Sequence, residues 1–141
     1  MGEGETRELA ARLHSTAIRL LRTLRREDDG SGLSAPRLSA LSVIVHAGPL
    51  SLNALAEAEQ VRPPTMSRIV EALVSRGLVA RRAKPGDRRT IAITATDEGL
   101  RLLEAGRERR VRALVARLDV LADSERRALA RGVEILERLA R

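Results

Sequence analysis

The chain has 141 residues, which is enough for one domain with a packed core and appended oligomerisation elements. The absence of Cys, Phe, Tyr and Trp excludes disulfides, thiolate metal sites and the aromatic platforms on which single-stranded nucleic acids stack. The net charge is +7, and of the 26 basic residues only Lys84 is not arginine. No apolar run approaches the length of a membrane span, and the N-terminus lacks a signal-peptide pattern, so we expect a cytoplasmic protein with no membrane partner.

The first predicted element is an amphipathic helix from Arg7 to about Arg26. Residues 1–6 are rich in Gly and Glu and are expected to fray. Apolar residues within the helix recur on a single stripe, namely Leu9, Leu13, Ala17, Leu20, Leu21 and Leu24. Residues 27–32 hold three acidic residues and two glycines, which predicts a loop.

Two shorter helices and a very short strand are predicted next. The second helix begins after Ser34, a favourable N-cap residue, and ends before a Gly-Pro pair. Residues 50–51 suit a strand of one or two residues. The third helix covers residues 53–60, with Ser51 or Asn53 as its N-cap.

The fourth helix begins at Pro63, where a missing backbone N–H is tolerated, and ends at Gly77. Its predicted inner face consists of Ile69, Val70, Leu73 and Val74. The third and fourth helices together predict a helix-turn-helix. Two strands at residues 78–82 and 90–95 then flank a turn at residues 84–89 with Pro-Gly-Asp turn chemistry. Alternation in the second strand is expected to turn Ile91, Ile93 and Ala95 inward.

Two helices complete the chain. Thr96 is the predicted N-cap of the fifth helix, which extends to about Val120, and Asp123 or Ser124 is the predicted N-cap of the sixth. The apolar stripes of the first, fifth and sixth helices present more apolar surface than one small domain can bury, so we predict a homodimer. Its interface is predicted to contain Leu9, Leu13, Leu114, Leu118, Leu129, Val133, Leu136 and Leu139.

Most of the positive charge lies in residues 61–96, where eight basic residues outnumber two acidic residues and give a net charge of +6. A concentrated basic surface beside a helix is typical of nucleic-acid binders, and without aromatic side chains duplex DNA is the favoured partner. The predicted fold class is mainly α with a small β-hairpin wing. A winged helix-turn-helix DNA-binding domain at residues 34–96 is flanked by dimerisation helices at residues 1–33 and 97–141.

This arrangement resembles the multiple-antibiotic-resistance regulator (MarR) family of winged-helix repressors over about residues 7–140. The matching segments are Leu55-Ala56, Thr65-Met66-Ser67-Arg68, Gly77-Leu78-Val79, Asp87-Arg88-Arg89 and Thr96-Asp97-Glu98-Gly99. The chain departs from the family pattern at three positions. Ala54 stands where the family commonly has an acidic residue, Arg62 stands where it has a serine N-cap, and Pro63 stands where it has a polar contact residue. The resemblance implies a homodimeric repressor that binds a near-palindromic operator. It also implies a pocket between the DNA-binding and dimer regions, in which a small, often phenolic or aromatic, effector releases DNA. Here that pocket is expected to have aliphatic and arginine lining.

The predicted DNA contacts lie on two segments, the fourth helix and the wing. The N-terminal part of the fourth helix enters the major groove, where an arginine can read guanine and a methionine or threonine can touch a thymine methyl group. The predicted base and phosphate contacts on this helix are Arg62, Pro63, Thr65, Met66, Ser67, Arg68 and Arg76, with a surface ion pair as the alternative for Arg76. The predicted contacts on the wing are Lys84, Asp87, Arg88 and Arg89. Its arginines enter the minor groove, and the family resemblance makes Asp87 a brace for the tip.

Other functions have weaker support in the sequence. His14 and His46 without any Cys make a poor metal site, and no nucleophile motif surrounds any Ser. We therefore predict no metal, no cofactor and no catalytic residue. The alternative function is a winged helix used as a protein-interaction module without specific DNA binding, against which the charge of residues 61–96 argues.

Overall fold

The computed structural model describes residues 2–84 and 86–141, so Pro85 of the predicted turn lies outside the described residues. Six α-helices, a 3₁₀ helix and two strands occur in those ranges. They are α1 (Glu3–Arg25), the 3₁₀ helix (Arg26–Ser31), α2 (Ala35–Ala47), α3 (Leu52–Ala58), α4 (Pro63–Ser75), β1 (Val79–Lys84), β2 (Asp87–Ala95), α5 (Asp97–Leu118) and α6 (Asp123–Leu139). The predicted fold class, mainly α with a β-hairpin wing, is confirmed.

The core lies between α2, α3, α4 and the base of the hairpin. Its largest fully buried side chains are Leu41, Ile44, Leu55, Met66, Val70, Leu73 and Ile93. In α4 the three buried residues are spaced by four and three, which places them on one face of the helix. The predicted inner face of α4 is confirmed for Val70 and Leu73, whereas Ile69 and Val74 are partly buried beside it.

Capping hydrogen bonds explain several of the helix starts. The hydroxyl groups of Ser51 and Thr96 each accept the backbone N–H three residues further on, at 3.1 and 3.2 Å, as predicted. Ser34 precedes α2 in an extended conformation, but its side chain makes no capping hydrogen bond. α1 begins at Glu3 rather than Arg7, because the Glu5 carboxylate accepts the backbone N–H of the N-cap residue Gly2 at 2.7 Å.

Two other local predictions are wrong. The N-cap of α6 is Ala122 rather than Asp123 or Ser124, because the Glu125 carboxylate accepts the Ala122 N–H at 2.8 Å. Residues 27–32 were expected to form a loop, yet most of them belong to the 3₁₀ helix that follows α1. This segment packs against α5, a contact between distant parts of the chain that local sequence signals do not contain.

The wing is an antiparallel hairpin whose strands extend further towards the tip than predicted. The predicted short strand is confirmed as an isolated bridge between Leu50 and Ile93. Ile93 is 2% exposed, but Ile91 is 54% exposed, so the prediction that Ile91 points inward is wrong. Ile91 pairs with Ala83 in the outer half of the hairpin, where both residues face solvent beyond the body of the domain.

The terminal helices contribute little to the core of a single chain. No described residue of α1 or α6 is buried, and α5 buries only Gly99 and Gly106. α5 starts directly against the hairpin, where a Cβ added to Gly99 would lie 2.2 Å from the Leu78 carbonyl oxygen. Only glycine permits this approach, so α5 is fixed to the base of the wing. Within the described ranges, no helix is both long enough and apolar enough to cross a membrane.

Candidate nucleic-acid interface

The first turn of α4 presents an exposed polar surface. Pro63 and Pro64 occupy the first two helical positions, where backbone N–H groups would have no intrahelical partner. The positive end of the helix dipole lies at this same turn and favours an anion nearby. Of the predicted contact residues, Arg62, Pro63, Thr65 and Arg68 are exposed and Ser67 is partly buried. Pro64 is exposed beside them and was missing from the prediction.

Met66 does not belong to this surface. Its side chain is 0% exposed and lies on the same buried face as Val70 and Leu73. Contact with a thymine methyl group would require Met66 to leave the core, so its prediction as a base-reading residue is wrong. Met66 instead anchors the first turn of α4 to the core, which holds the exposed residues of that turn in place.

The tip of the wing is organised by Asp87. Its carboxylate accepts the backbone N–H of Arg89 at 2.9 Å and the hydroxyl of Thr90 at 2.6 Å. Gly86 has a φ of +82°, a left-handed conformation that glycine adopts without strain. The carboxylate is therefore placed as the predicted brace would be, with a backbone N–H and a hydroxyl as its donors. Thr90 was not predicted, although a threonine shortly after an Asp in a turn is a recognisable signal.

The same hydrogen bonds change the acidity of Asp87. Donation by the Thr90 hydroxyl, then by the Arg89 backbone N–H, lowers the pKa of the Asp87 carboxyl below its ordinary value of 3.8. Lys84 lowers this pKa further through its positive charge. Asp87 is therefore ionised at neutral pH, and its charge is used within the turn.

The arginines of the candidate interface lie outside the ion pairs found among the described residues. Every ion pair within residues 2–84 and 86–141 involves a side chain of α5 or α6. In the described part of residues 61–96, no arginine is in an ion pair. Arg62, Arg68, Arg88 and Arg89 are all exposed, and unpaired guanidinium groups are the ones that can bind phosphate or base edges at least cost. Lys84, also exposed, adds a further positive charge at the tip.

Arg76, at the C-terminal end of α4, has a different environment. Its Nη1 donates to the carbonyl oxygen of Gly32 at 2.8 Å, and its Nη2 donates to that of Ser31 at 3.4 Å. Neither predicted role, phosphate contact or surface ion pair, describes these contacts. Arg76 binds the backbone that connects α1 to α2.

A cleft of about 600 Å³ lies beside this connection, between the end of α1, the 3₁₀ helix, α2 and α5. Its lining includes Leu33, Leu38, Val61 and Leu103, the arginines Arg25 and Arg110, and the carboxylates of Asp28, Asp29 and Glu59. The prediction of an aliphatic and arginine lining is therefore incomplete, because three acidic residues were missed. Glu59 lies far along the sequence from the adjacent pair Asp28 and Asp29, and it reaches the same cleft only in the fold.

The two histidines do not form a metal site together with other residues. The ring of His46 contacts the Ser42 carbonyl oxygen of its own helix at 2.8 Å, and His14 is exposed on α1. Across the described residues, no group of three or more His, Cys, Asp or Glu side chains is placed to hold a metal ion.

The comparisons with known proteins agree with this geometry. Residues 33–91 match the model of the MarR family. An uncharacterized HTH-type transcriptional regulator of Mycobacterium bovis is 35% identical over 128 residues, which are 91% of this chain and 90% of the relative. The chain belongs to the MarR family. A MarR-family protein of Bacillus stearothermophilus has the same fold, with a TM-score of 0.77, 25% identity, and coverage of 99% of this chain and 98% of the other.

A second solved structure contains nucleic acid. A mutant of MepR from S. aureus, bound to an oligodeoxyribonucleotide, has a TM-score of 0.73 at 19% identity and covers 93% of this chain and 97% of its own. Membership of the MarR family makes this chain a DNA-binding transcription regulator with a winged helix-turn-helix. α3 and α4 form the helix-turn-helix, and β1 and β2 form the wing.

Proposed function

We propose that this MarR-family protein is a homodimeric repressor that binds a near-palindromic operator and is released by a small ligand. Each subunit would place α4 in a major groove and its wing in the adjacent minor groove. The observation that carries the proposal is the wing tip, where the Asp87 carboxylate orders the turn and leaves Arg88 and Arg89 exposed. The oligodeoxyribonucleotide bound to the structurally similar MepR mutant supports the same use of the fold.

The homodimer is supported by the apolar surface of the terminal helices. Leu129, Val133 and Leu136 of α6 are between 41% and 44% exposed, and Leu9 and Leu13 of α1 are also exposed. Leu114 and Leu118 are partly buried, and Leu139 at the end of α6 is exposed. A surface of this kind is best explained by association with a second copy. In this proposal residues 1–33 and 97–141 form the dimer region, and residues 34–96 bind DNA.

The effector site would be the cleft beside the 3₁₀ helix. Asp28 is paired with Arg110, whereas Asp29 and Glu59 have no ion pair among the described residues. The acidic groups favour a ligand that carries hydrogen-bond donors or a positive charge next to an apolar body. A purely anionic phenolate fits this lining less well than the family resemblance implies.

The direct test of DNA binding is a filter-binding titration of the full chain against duplex DNA selected from a random pool and against a scrambled duplex at the same salt concentration. We expect tight binding to the selected duplex and weaker, strongly salt-dependent binding to the scrambled one. If neither duplex is retained even at low salt, the protein-interaction module becomes the better function.

A further inference from the structure

Three arginines from two different elements hold the segment between α1 and α2. We call this segment, residues 26–32, the connector. From α5, Arg109 Nε donates to the carbonyl oxygen of Glu27 at 3.1 Å, and Arg110 forms an ion pair with the Asp28 carboxylate. From the end of α4, Arg76 donates to the last two carbonyl groups of the connector.

The contacts on the α5 side are partly buried. The side chains of Asp28 and Arg110 are 22% and 34% exposed, so their ion pair is less screened than the exposed pairs elsewhere on α5. A second α5 arginine, Arg109, donates from Nε to the Glu27 carbonyl oxygen, while its Nη2 atom is buried without a hydrogen-bond partner among the described residues. The connector is thus fixed most firmly to α5, the helix proposed to form part of the dimer region.

Two glycines of the connector lie next to these guanidinium groups. A Cβ added to Gly32 would lie 3.5 Å from both terminal nitrogens of Arg76, and one added to Gly30 would lie 3.6 Å from Arg109 Nε. Gly32 also has a φ of +69°, which directs its carbonyl in a way that other residues rarely allow. The arginines therefore lie directly against the connector backbone.

We propose that Arg76 is a positioning residue for DNA recognition and that the connector couples α5 to α4. Through Arg76, the connector fixes the C-terminal end of α4, while Met66 fixes its first turn in the core. A change at the Asp28–Arg110 pair would then alter how α4 is presented to DNA. The same pair lines the cleft described above, so an occupant of the cleft would act on the connector directly. This inference rests on the proposed DNA-binding function.

A positioning role and a phosphate contact predict different salt dependence. Loss of a phosphate contact weakens binding to all duplexes and reduces the slope of log affinity against log salt by about one. Loss of a positioning residue weakens binding to the operator but leaves non-specific binding and the slope unchanged. For Arg76→Ala we expect the second pattern, with a loss of about threefold to tenfold in operator affinity, as for one hydrogen-bonded contact. Arg76→Gln, which keeps one donor, should lose less.

The contact between the connector and α5 is tested by Asp28→Asn, a change far along the chain from both α4 and the wing. We expect operator affinity to fall, and the loss in the double variant with Arg76→Ala to be smaller than the two single losses combined, because both changes release the same segment. Glu104→Gln, which neutralises the carboxylate of an exposed ion pair on α5, serves as the matched control and should bind like the wild type.

Amide hydrogen exchange in the DNA-free dimer provides a readout that does not depend on operator binding. Asp28→Asn should speed exchange in the last turn of α4 as well as in the connector. Unchanged exchange in α4, strictly additive losses, or a reduced salt slope for Arg76→Ala would each overturn the coupling. A wild-type protein that does not distinguish operator from scrambled DNA would instead refute the proposed function, and the exchange experiment would still decide the inference.

Discussion

Asp87 is the residue at which charge and geometry have opposite effects on DNA binding. Its negative charge lies next to Arg88 and Arg89, so a count of charges predicts that removing it would tighten binding. The structure shows that its carboxylate holds the turn through the Arg89 backbone N–H and the Thr90 hydroxyl. An ordered tip loses less conformational freedom on binding, and the charge of one exposed carboxylate is screened within about 8 Å at physiological salt.

We therefore predict that Asp87→Ala weakens operator binding several-fold while binding to scrambled DNA stays the same or becomes slightly tighter. Arg89→Ala should weaken operator binding more, because it removes the contact itself. Parallel titrations of both duplexes at one salt concentration measure these effects. Asp119→Ala, which removes an exposed carboxylate at the end of α5, is the control for charge alone. Tighter operator binding by Asp87→Ala would mean that the wing is only a diffuse basic surface.

Thr90→Val tests the brace without any change in charge. The variant keeps the shape of the side chain and loses the hydroxyl that donates to Asp87 at 2.6 Å. We expect weaker operator binding than in the wild type but stronger binding than in Asp87→Ala, since the Arg89 N–H still donates. Operator affinity equal to that of the wild type would show that the hydroxyl does not order the tip for DNA.

The pH dependence of the tip follows from the direction of the Asp87 pKa shift. Because the folded pKa lies below 3.8, the stabilisation is complete above that ordinary value and is lost as the pH falls through the lowered pKa. Operator affinity around neutral pH should therefore not reflect titration of Asp87. An NMR titration of its carboxyl carbon should give a midpoint below 3.8, and Thr90→Val should move the midpoint upwards. A wild-type midpoint at or above 3.8 contradicts the brace.

At the scale of elements, α4 has two faces with separate roles. Met66 belongs to the buried face and Arg68 to the exposed face. Met66→Ala should lower the free energy of unfolding by about 2–5 kcal/mol, whereas Met66→Leu, which nearly conserves volume, should lower it by less than about 1.5 kcal/mol. Arg68→Ala should change stability by no more than about 0.5 kcal/mol and should weaken operator binding. Denaturant unfolding and DNA titration of the three variants separate these effects, and a stable Met66→Ala variant would contradict the assignment of faces.

The elements that the sequence predicts well are those with local signals. The bounds of α4 follow from its two prolines and from Gly77, whose φ of +71° is the expected left-handed value. The burial of Met66 was missed because the predicted inner face began at Ile69 and the first turn of α4 was assigned to DNA contact. In the fold, α4 packs against α2 and the hairpin, and Met66 lies in the core with Val70 and Leu73.

Predictions failed where a residue depends on distant parts of the chain. The connector was expected to be a loop, but arginines 82 residues away in sequence hold it in place. Ile91 was expected to be buried by alternation, but the outer half of the hairpin extends beyond the core that would cover it. The brace at Asp87 was predictable because both of its donors lie within three residues.

At the scale of the whole molecule, the apolar surface of α6 requires a partner in the proposed dimer. Replacing Val133 and Leu136 with Glu would place charges in that interface, and we expect monomers that bind the operator poorly. Sedimentation at micromolar concentration measures the change. Arg131→Glu with Arg138→Glu introduces two glutamates on the opposite side of the same helix and should remain dimeric. A wild-type protein that sediments as a stable monomer would refute the dimer.

The arrangement of the operator tests the central claim most directly, because it depends on the recognition helix, the wing and the dimer together. The measurement is selection of binding sites by the full chain from a pool of random duplex DNA, followed by sequencing. A two-fold symmetric dimer should return a near-palindrome whose half-sites are about 10 bp apart from centre to centre. Enrichment of only asymmetric sites, or no enrichment at all, would contradict the account.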